Sequence, residues 1–378
     1  ARAAAELREK EKAWQQEKDL LASELRDAQQ KLAGFKKVSP RTEVVEVTKK
    51  QSPKEIIDVL KNLRISSKDP KNIRLAIQQL ENLIELGESA LPEIQAFLTA
   101  QSDIDYDPSI FGSWKGSKDG RVPIDFVFPP SLRFGLFDAT RKIGGEKAEK
   151  LLADALRITG RGVELAYLTR VLQEMAPFTY RDLALSAAKE LLNNPVNAAS
   201  SNALDKYERN YLFGVLAFYK DGSLAQQAQG QIVLTDGKID QGALNYLKET
   251  LGQQSIPAIA QLYQDARITD GQQKEPLARL ALNFAGADAQ ADALYGTAIK
   301  DPTLTENSRR ELIEDLNQDG YDNLKNFSER DVQLIRNRLA LIEKSRAASD
   351  SKIITDAFAE AEKDLKNMLT KATQRPVP

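Results

Sequence analysis

The chain has 378 residues, 42% of them hydrophobic, which is room for two or three ordinary domains or one extended repeat array with a continuous core. Its 53 Lys and Arg against 55 Asp and Glu leave a net charge of -2, so the electrostatic footprint of a nucleic-acid or anionic-lipid binder is missing. There is no Cys and no His, which excludes disulfides, thiolate nucleophiles, Cys-ligated metal centres and every His-dependent triad, and leaves carboxylate, Ser-Lys or Tyr chemistry and oxygen-ligated hard cations.

Residues 1–37 read as a coiled-coil arm or long helix. Leu7, Trp14, Leu21, Ala28 and Phe35 recur every seven residues, with Leu25 and Leu32 adding a second seam position, while Glu11 and Lys18 interrupt it. Two readings fit this segment: a short coiled coil that mediates self-association or docking through residues 1–36, and a solvated charged helix with one sticky stripe. The helical pattern is already under way at Ala3, Ala4, Ala5 and Leu7, and this start favours a bacterial periplasmic or cell-envelope location with an anchor upstream over a cytoplasmic one, the compartment itself staying open. No stretch approaches the roughly 18 consecutive apolar residues of a membrane span.

Residues 38–51 carry Ser39-Pro40 and the β-branched run Val44, Val45, Val47 and Thr48, the pattern of an extended linker or one short strand. Ser52-Pro53 then supplies an N-cap followed by Pro at the first helical position, opening the helix of Ile56, Ile57, Leu60 and Leu63. From Asp69-Pro70 the chain runs as paired amphipathic helices. Ile73, Ala76, Ile77, Leu80, Leu83 and Ile84 fall at three-and-four spacing, Gly87 ends that helix, and Leu91, Ile94, Phe97 and Leu98 form the next. The same grammar returns over 132–156 and 163–192. Leu234-Thr-Asp-Gly-Lys and Ile268-Thr-Asp-Gly-Gln echo each other in sequence, each followed by a helix pair closing at Leu262-Tyr263 and Leu294-Tyr295.

Ile73-Arg-Leu-Ala-Ile through Gly87-Glu-Ser-Ala-Leu-Pro-Glu-Ile, and Leu132-Arg-Phe-Gly-Leu through Ile143-Gly-Gly-Glu-Lys-Ala, resemble HEAT and HEAT-like repeats over roughly residues 70–300. The resemblance implies an α-solenoid whose concave face holds protein or peptide partners, and it implies no catalytic residue. The expected architecture is therefore all-α: the arm, the linker, an irregular HEAT-like solenoid over 52–345, and a C-terminal capping helix with a tail over 346–378. Within the last part Lys352 to Thr370 carries Ile353, Ile354, Phe358, Ala361, Leu365, Met368 and Leu369 on one face.

One long insert, 101–131, interrupts the array. It is rich in Asp, Pro and Gly, yet it carries Tyr106, Phe111, Trp114, Phe126 and Phe128. Loops of this length are functional or disordered, and disorder is poor in aromatics, so these five residues are candidate partner-binding anchors. The competing reading is that the rings pin the loop onto neighbouring helices.

Two acidic patterns suggest calcium. Asp103, Asp105 and Asp107 alternate, so an extended backbone puts their carboxylates on one face. Asp315, Asn317, Asp319 and Gly320 match the opening positions of an EF-hand loop, although Asn326 stands where a bidentate Glu belongs, and plain turn and cap chemistry explains the same residues. No Gly-rich phosphate loop or nucleophile elbow occurs. The chain reads as a non-enzymatic scaffold or adaptor that binds a protein or peptide, has no catalytic residue and does not bind nucleic acid. A calcium-dependent or carbohydrate-binding surface protein and, more weakly, a carboxylate-based enzyme stay open beside it.

Overall fold

The computed structural model describes residues 51–110, 112, 114–195, 203–318, 320–321, 327–346 and 351–373. The arm, nearly all of the linker, Phe111, Asp319 and the last residues from Gln374 fall outside this set. The protein is all-α: among the described residues the sole β features are two isolated bridges, Asp105 with Ser131 and Val233 with Ile239.

The first helices begin where local chemistry dictates. α1 (Pro53–Asn62) opens with its Pro, and α2 (Pro70–Leu86) is capped by Asp69, whose carboxylate accepts from the Asn72 N–H. Gly87 closes α2 with φ 60°, a conformation that favours residues without a Cβ, and α3 (Leu91–Thr99) follows a single turn of tighter helix. α4 (Leu132–Ile143) is capped by the Ser131 hydroxyl, and α5 (Gly145–Ile158) follows at once, its N-cap the Gly144 that also ends α4. Next come α6 (Gly162–Met175), α7 (Arg181–Asn193), α8 (Glu208–Phe218) and the short α9 (Ala225–Gln231). Asp240, Asp270, Asp288 and Thr305 cap α10 (Gln241–Leu251), α12 (Gly271–Leu282), α13 (Ala289–Ala298) and α14 (Glu306–Glu314), with α11 (Ile256–Tyr263) between the first two. α15 (Glu329–Arg346) and α16 (Lys352–Thr373) complete the order.

The helices sort into two rows. α2, α4, α6, α8 and α10 each pack on the next member of that set, and α1, α3, α5 and α7 do likewise, so through this part of the chain a helix touches its next-but-one neighbour. Polar contacts repeat the same rhythm. Arg133 reaches Glu164 across 31 residues, Lys189 reaches Asp221 across 32, Arg209 reaches Asp240 across 31, Gln229 reaches Gln261 across 32, Gln253 reaches Asp288 across 35 and Arg279 reaches Glu311 across 32. These contacts, spaced 31 to 35 residues apart, join parts of the chain about two helices apart. One apolar core runs without a break from Ile56 to Leu365. α16 lies on both α14 and α15 and buries Ile354, Ala357, Phe358, Ala361 and Leu365.

The sequence echo at 234 and 268 corresponds to two different structures. Asp270 caps α12, whereas Asp236 sits in a reverse turn in which the Leu234 N–H donates to the Lys238 carbonyl, and Asp240 caps α10 instead. Thr-Asp-Gly serves either purpose, because an Asp side chain folds back on nearby N–H groups equally well in a turn or at a helix start.

Candidate functional site

The 101–131 insert is tied at its neck and along its length. The Tyr106 N–H donates to the Pro130 carbonyl at 3.1 Å and the Leu132 N–H to the Ile104 carbonyl at 3.0 Å, which brings the two ends together. Farther out, the Ser117 N–H donates to the Tyr211 hydroxyl at 2.9 Å, Asn210 donates to the Lys118 carbonyl and Arg170 to the Val122 carbonyl. Gly120 lies against α8 so closely that a Cβ on it would stand 2.0 Å from the Asn210 carbonyl oxygen. The insert is thereby laid across α6 and α8.

The candidate anchors sit on the inner side of this insert. Tyr106 and Phe128 are buried with ring centroids 5.4 Å apart. Phe126 stacks on Tyr167 at 5.4 Å and meets Phe134 edge-on at 5.7 Å, and Trp114 packs on Tyr211 at 5.9 Å. Trp114 and Phe126 hold the loop to the helices through these ring contacts, and Tyr106 and Phe128 join the apolar core. Phe111 lies outside the described residues. The exposed apolar side chain of the insert is Val127, at 78% exposure.

Most of the described acidic candidates are engaged by the protein's own side chains and backbone. Asp103 accepts from the Ile104 and Arg133 N–H groups and pairs with Arg161 at 2.7 Å, while Asp107 accepts from the Ser109 N–H and lies beside Ser67. Burial, then the neighbouring Asp103 charge, raises the Asp105 carboxyl above its usual pKa. Asp315 pairs with Arg279, and the Asn317 amide donates to Asp364 at 3.0 Å, with Asp319 outside the described residues. Among the described residues no three His, Cys, Asp or Glu side chains converge as a metal-binding group.

Beneath the neck lies a charged network that sequence inspection missed. Arg133, 3% exposed, makes a two-pronged pair with the fully buried Glu164, both bonds 2.8 Å long, and gives its remaining Nη1 to the Leu98 carbonyl. Glu164 also accepts from Thr159 at 2.9 Å and from Arg161 at 2.9 Å, and Arg161 reaches Asp205 at 3.1 Å. Burial disfavours the Arg161 charge, but Glu164, Asp205 and Asp103 outweigh it and hold its pKa above the usual value. Glu208 accepts from the Gly162 N–H; burial, with Asp205 adding to it against Gly162 and Arg161, pushes its carboxyl up to about 7. The one signal in the sequence was the Arg on the first helix of each repeat-like segment. Arg133 is buried, whereas the matching Arg74 bonds its own helix at the Pro70 carbonyl.

Two clefts open on the surface. The smaller, about 330 Å³, lies between the insert and helices α6 and α8, with Val122, Ala166, Thr169, Arg170, Val215 and Phe218 on its walls. The larger, about 1090 Å³, lies between α13 and α15 and is walled by Ala289, Ala293, Gly296, Thr297, Ala340 and Leu341, with Lys300 and Lys344 at its rim. α15 is fixed beside that groove by Arg338, fully buried, which donates to the Leu282 and Ala285 carbonyls at 2.8 Å each and to the Leu316 carbonyl. It thus adds a charged donor to the Leu282 carbonyl at the end of α12, which also accepts from the Ala285 N–H at 3.2 Å, and ties that end to the Ala285 and Leu316 carbonyls.

No protein-family model matches the chain, and no curated protein does. A solved structure described as "Computational Design of Self-Assembling Cyclic Protein Homooligomers" aligns over 86% of this chain and 92% of that one at 12% identity, with a TM-score of 0.14 that supports no inference about fold or role. Among the described residues no helix is long and apolar enough to cross a membrane.

Proposed function

We propose that the chain is a non-enzymatic scaffold that binds a protein or peptide, that its stacked helix pairs form a HEAT-like array, and that the groove between α13 and α15 seats an amphipathic helix. The observation that carries the reading is the open space over Gly296, where an added Cβ meets nothing within 4 Å. Ala289, Ala293 and Thr297 line the same exposed face of α13, and Ala340 stands on the exposed face of α15, so both walls are low. Low walls let a third helix approach to the short end of the usual 8–10 Å interaxial range. Lys300 and Lys344 have no carboxylate partner among the described residues, whereas Asp301 of the same lining pairs with Lys274 and Asp292 accepts from the Gly286 N–H, which favours acidic flanks on the guest helix.

The test is selection from a display library of roughly 15-residue helical peptides, long enough to cover α13 at about 1.5 Å rise per residue. The intact protein is expected to enrich peptides with a small-to-medium apolar stripe flanked by Glu or Asp, and Gly296→Leu is expected to bind them at least tenfold more weakly. Absence of enrichment, or equal binding by the variant, overturns the groove as the seat. The array also carries the heptad segment, and self-association through residues 1–36 belongs to the same proposal. Light scattering should register an oligomer that becomes monomeric when residues 1–37 are removed, and an intact chain that is already monomeric refutes that part.

A further inference from the structure

The smaller cleft has chemistry that the helix-binding groove lacks. Its helical wall contributes Thr169 and Arg170, consecutive residues of α6. Thr169 is 1% exposed and its buried hydroxyl has no hydrogen-bond partner among the described residues. A buried hydroxyl without a partner forfeits its hydration for nothing in return, so a site built around one awaits a group that bonds to it. Arg170 engages the Val122 carbonyl through one Nη alone and has no carboxylate within ion-pair distance among the described residues.

The other charges of the cleft are already matched. Arg121 pairs with Glu249 at 3.0 Å and approaches Asp119 at 3.9 Å, so the rim charges engage one another and Arg170 is the cation of the cleft without an ion pair among the described residues. A dianion such as phosphate meets Asp119 and Glu249 at close range with a single unpaired cation to hold it. A monoanion with two coplanar oxygens suits one guanidinium. Val122, Ala166, Val215 and Phe218 make the rest of the lining apolar, and about 330 Å³ lies at the small end of the range for ligand sites. The geometry points to a second binding site, independent of the groove between α13 and α15: a pocket for a singly charged carboxylate carried on a short branched apolar group. Arg170 and the Thr169 hydroxyl receive the carboxylate, and the Val122, Val215 and Phe218 side chains receive the apolar part.

Such a group comes either from a peptide C-terminus ending in an apolar residue or from a free branched-chain acid. Titration calorimetry on the full chain with 3-methylbutanoate, with a pentapeptide ending in Val bearing a free carboxylate, and with the same peptide amidated separates them. Binding of the free-acid peptide with at least tenfold loss on amidation assigns the pocket to chain termini, and binding of 3-methylbutanoate alone assigns it to small acids. Both outcomes support the pocket. Thr169→Val keeps the shape of the side chain and removes the unpartnered hydroxyl. It is expected to weaken binding about tenfold while leaving the melting temperature unchanged or higher, and Arg170→Gln is expected to abolish binding. Inorganic phosphate serves as the control anion. Failure of both carboxylates to bind at millimolar concentration, phosphate binding as tightly as either, or binding unchanged in Thr169→Val with the fold intact, overturns the inference. Peptide selection by the α13–α15 groove is unaffected by these variants, so the two sites succeed or fail separately.

Discussion

Replacing Glu164 by Ala is the sharpest test of how α4 is held to α6. Glu164 is fully buried and accepts from Arg133 through both of its oxygens at 2.8 Å, from Thr159 at 2.9 Å and from Arg161 at 2.9 Å. Truncation leaves the Arg133 guanidinium, 3% exposed, with the Leu98 carbonyl as its remaining partner, whereas Arg161 keeps Asp103 and Asp205. Stranding one member of a buried pair costs about 3–5 kcal/mol, most of it from the uncompensated charge, so the expected loss is about 4 kcal/mol. Removing both charges together, as Arg133→Met with Glu164→Leu, is expected to cost much less than the sum of the single changes, giving a coupling energy of about 2–3 kcal/mol. Urea unfolding followed by helical circular dichroism supplies the free energies. Because proteins open locally where contacts are lost, amide exchange in α4 and α6 should rise before that in α12 and α13. A loss below about 1 kcal/mol for Glu164→Ala, or additive single changes, would refute the reasoning.

Other consequences follow from individual side chains. Glu208 has its carboxyl pushed up to about 7 from the usual 4.5, so between those values the folded chain binds a proton that the unfolded chain has released. Stability therefore falls as pH rises through that window, at up to about 1.4 kcal/mol per pH unit for the one proton, and Glu208→Gln should flatten the slope; an unchanged pH profile of the urea midpoint counts against it. Arg338→Met removes a charged donor from the Leu282, Ala285 and Leu316 carbonyls, of which Leu282 keeps the Ala285 N–H and Leu316 the Tyr321 hydroxyl, and should cost about 3 kcal/mol or more, with exchange rising first in α15; a loss under about 1 kcal/mol refutes the role of Arg338 in fixing α15. Gly296→Ala fills open space inside a helix and should stabilise by about 0.5–1 kcal/mol, and a destabilised variant would mean that the groove is occupied.

Helix starts and stops were legible because they are local. Asp69-Pro70 and Gly87 fix their own neighbourhoods, and each stands in the structure where cap chemistry places it. The inward or outward aim of a loop is not local. Trp114 and Phe126 are the residues expected either to meet a partner or to pin the insert, and that choice depends on Tyr167 and Tyr211, which lie on helices read for their spacing alone. Glu164 illustrates the same limit. An acid in the first turn of a helix reads as an exposed complement to the helix dipole, and its burial follows from an Arg placed 31 residues earlier. Clefts were less legible still, since Thr169 and Gly296 are unremarkable in the sequence and matter for what does not touch them.

The insert's many attachments bear directly on what its cleft can do. A thirty-residue loop that ordered only on binding would subtract that ordering from every affinity, at roughly 1 kcal/mol or more for each residue fixed. Here the neck is closed by the Tyr106 and Leu132 N–H groups, the middle is held by Tyr211 and Asn210, and Val122 is held by Arg170 before any ligand arrives. The cleft wall made by Gly120, Arg121 and Val122 is thus set by the folding of α6 and α8. Gly120 is central to this, because any side chain there collides with the Asn210 backbone, and its φ of 73° is strained for residues other than Gly. Gly120→Ala is accordingly expected to lift the insert from α8, raising amide exchange over 114–122 at least tenfold while α12 to α14 keep their protection. Unchanged exchange over 114–122 would mean that the insert is not seated on α8 by this contact.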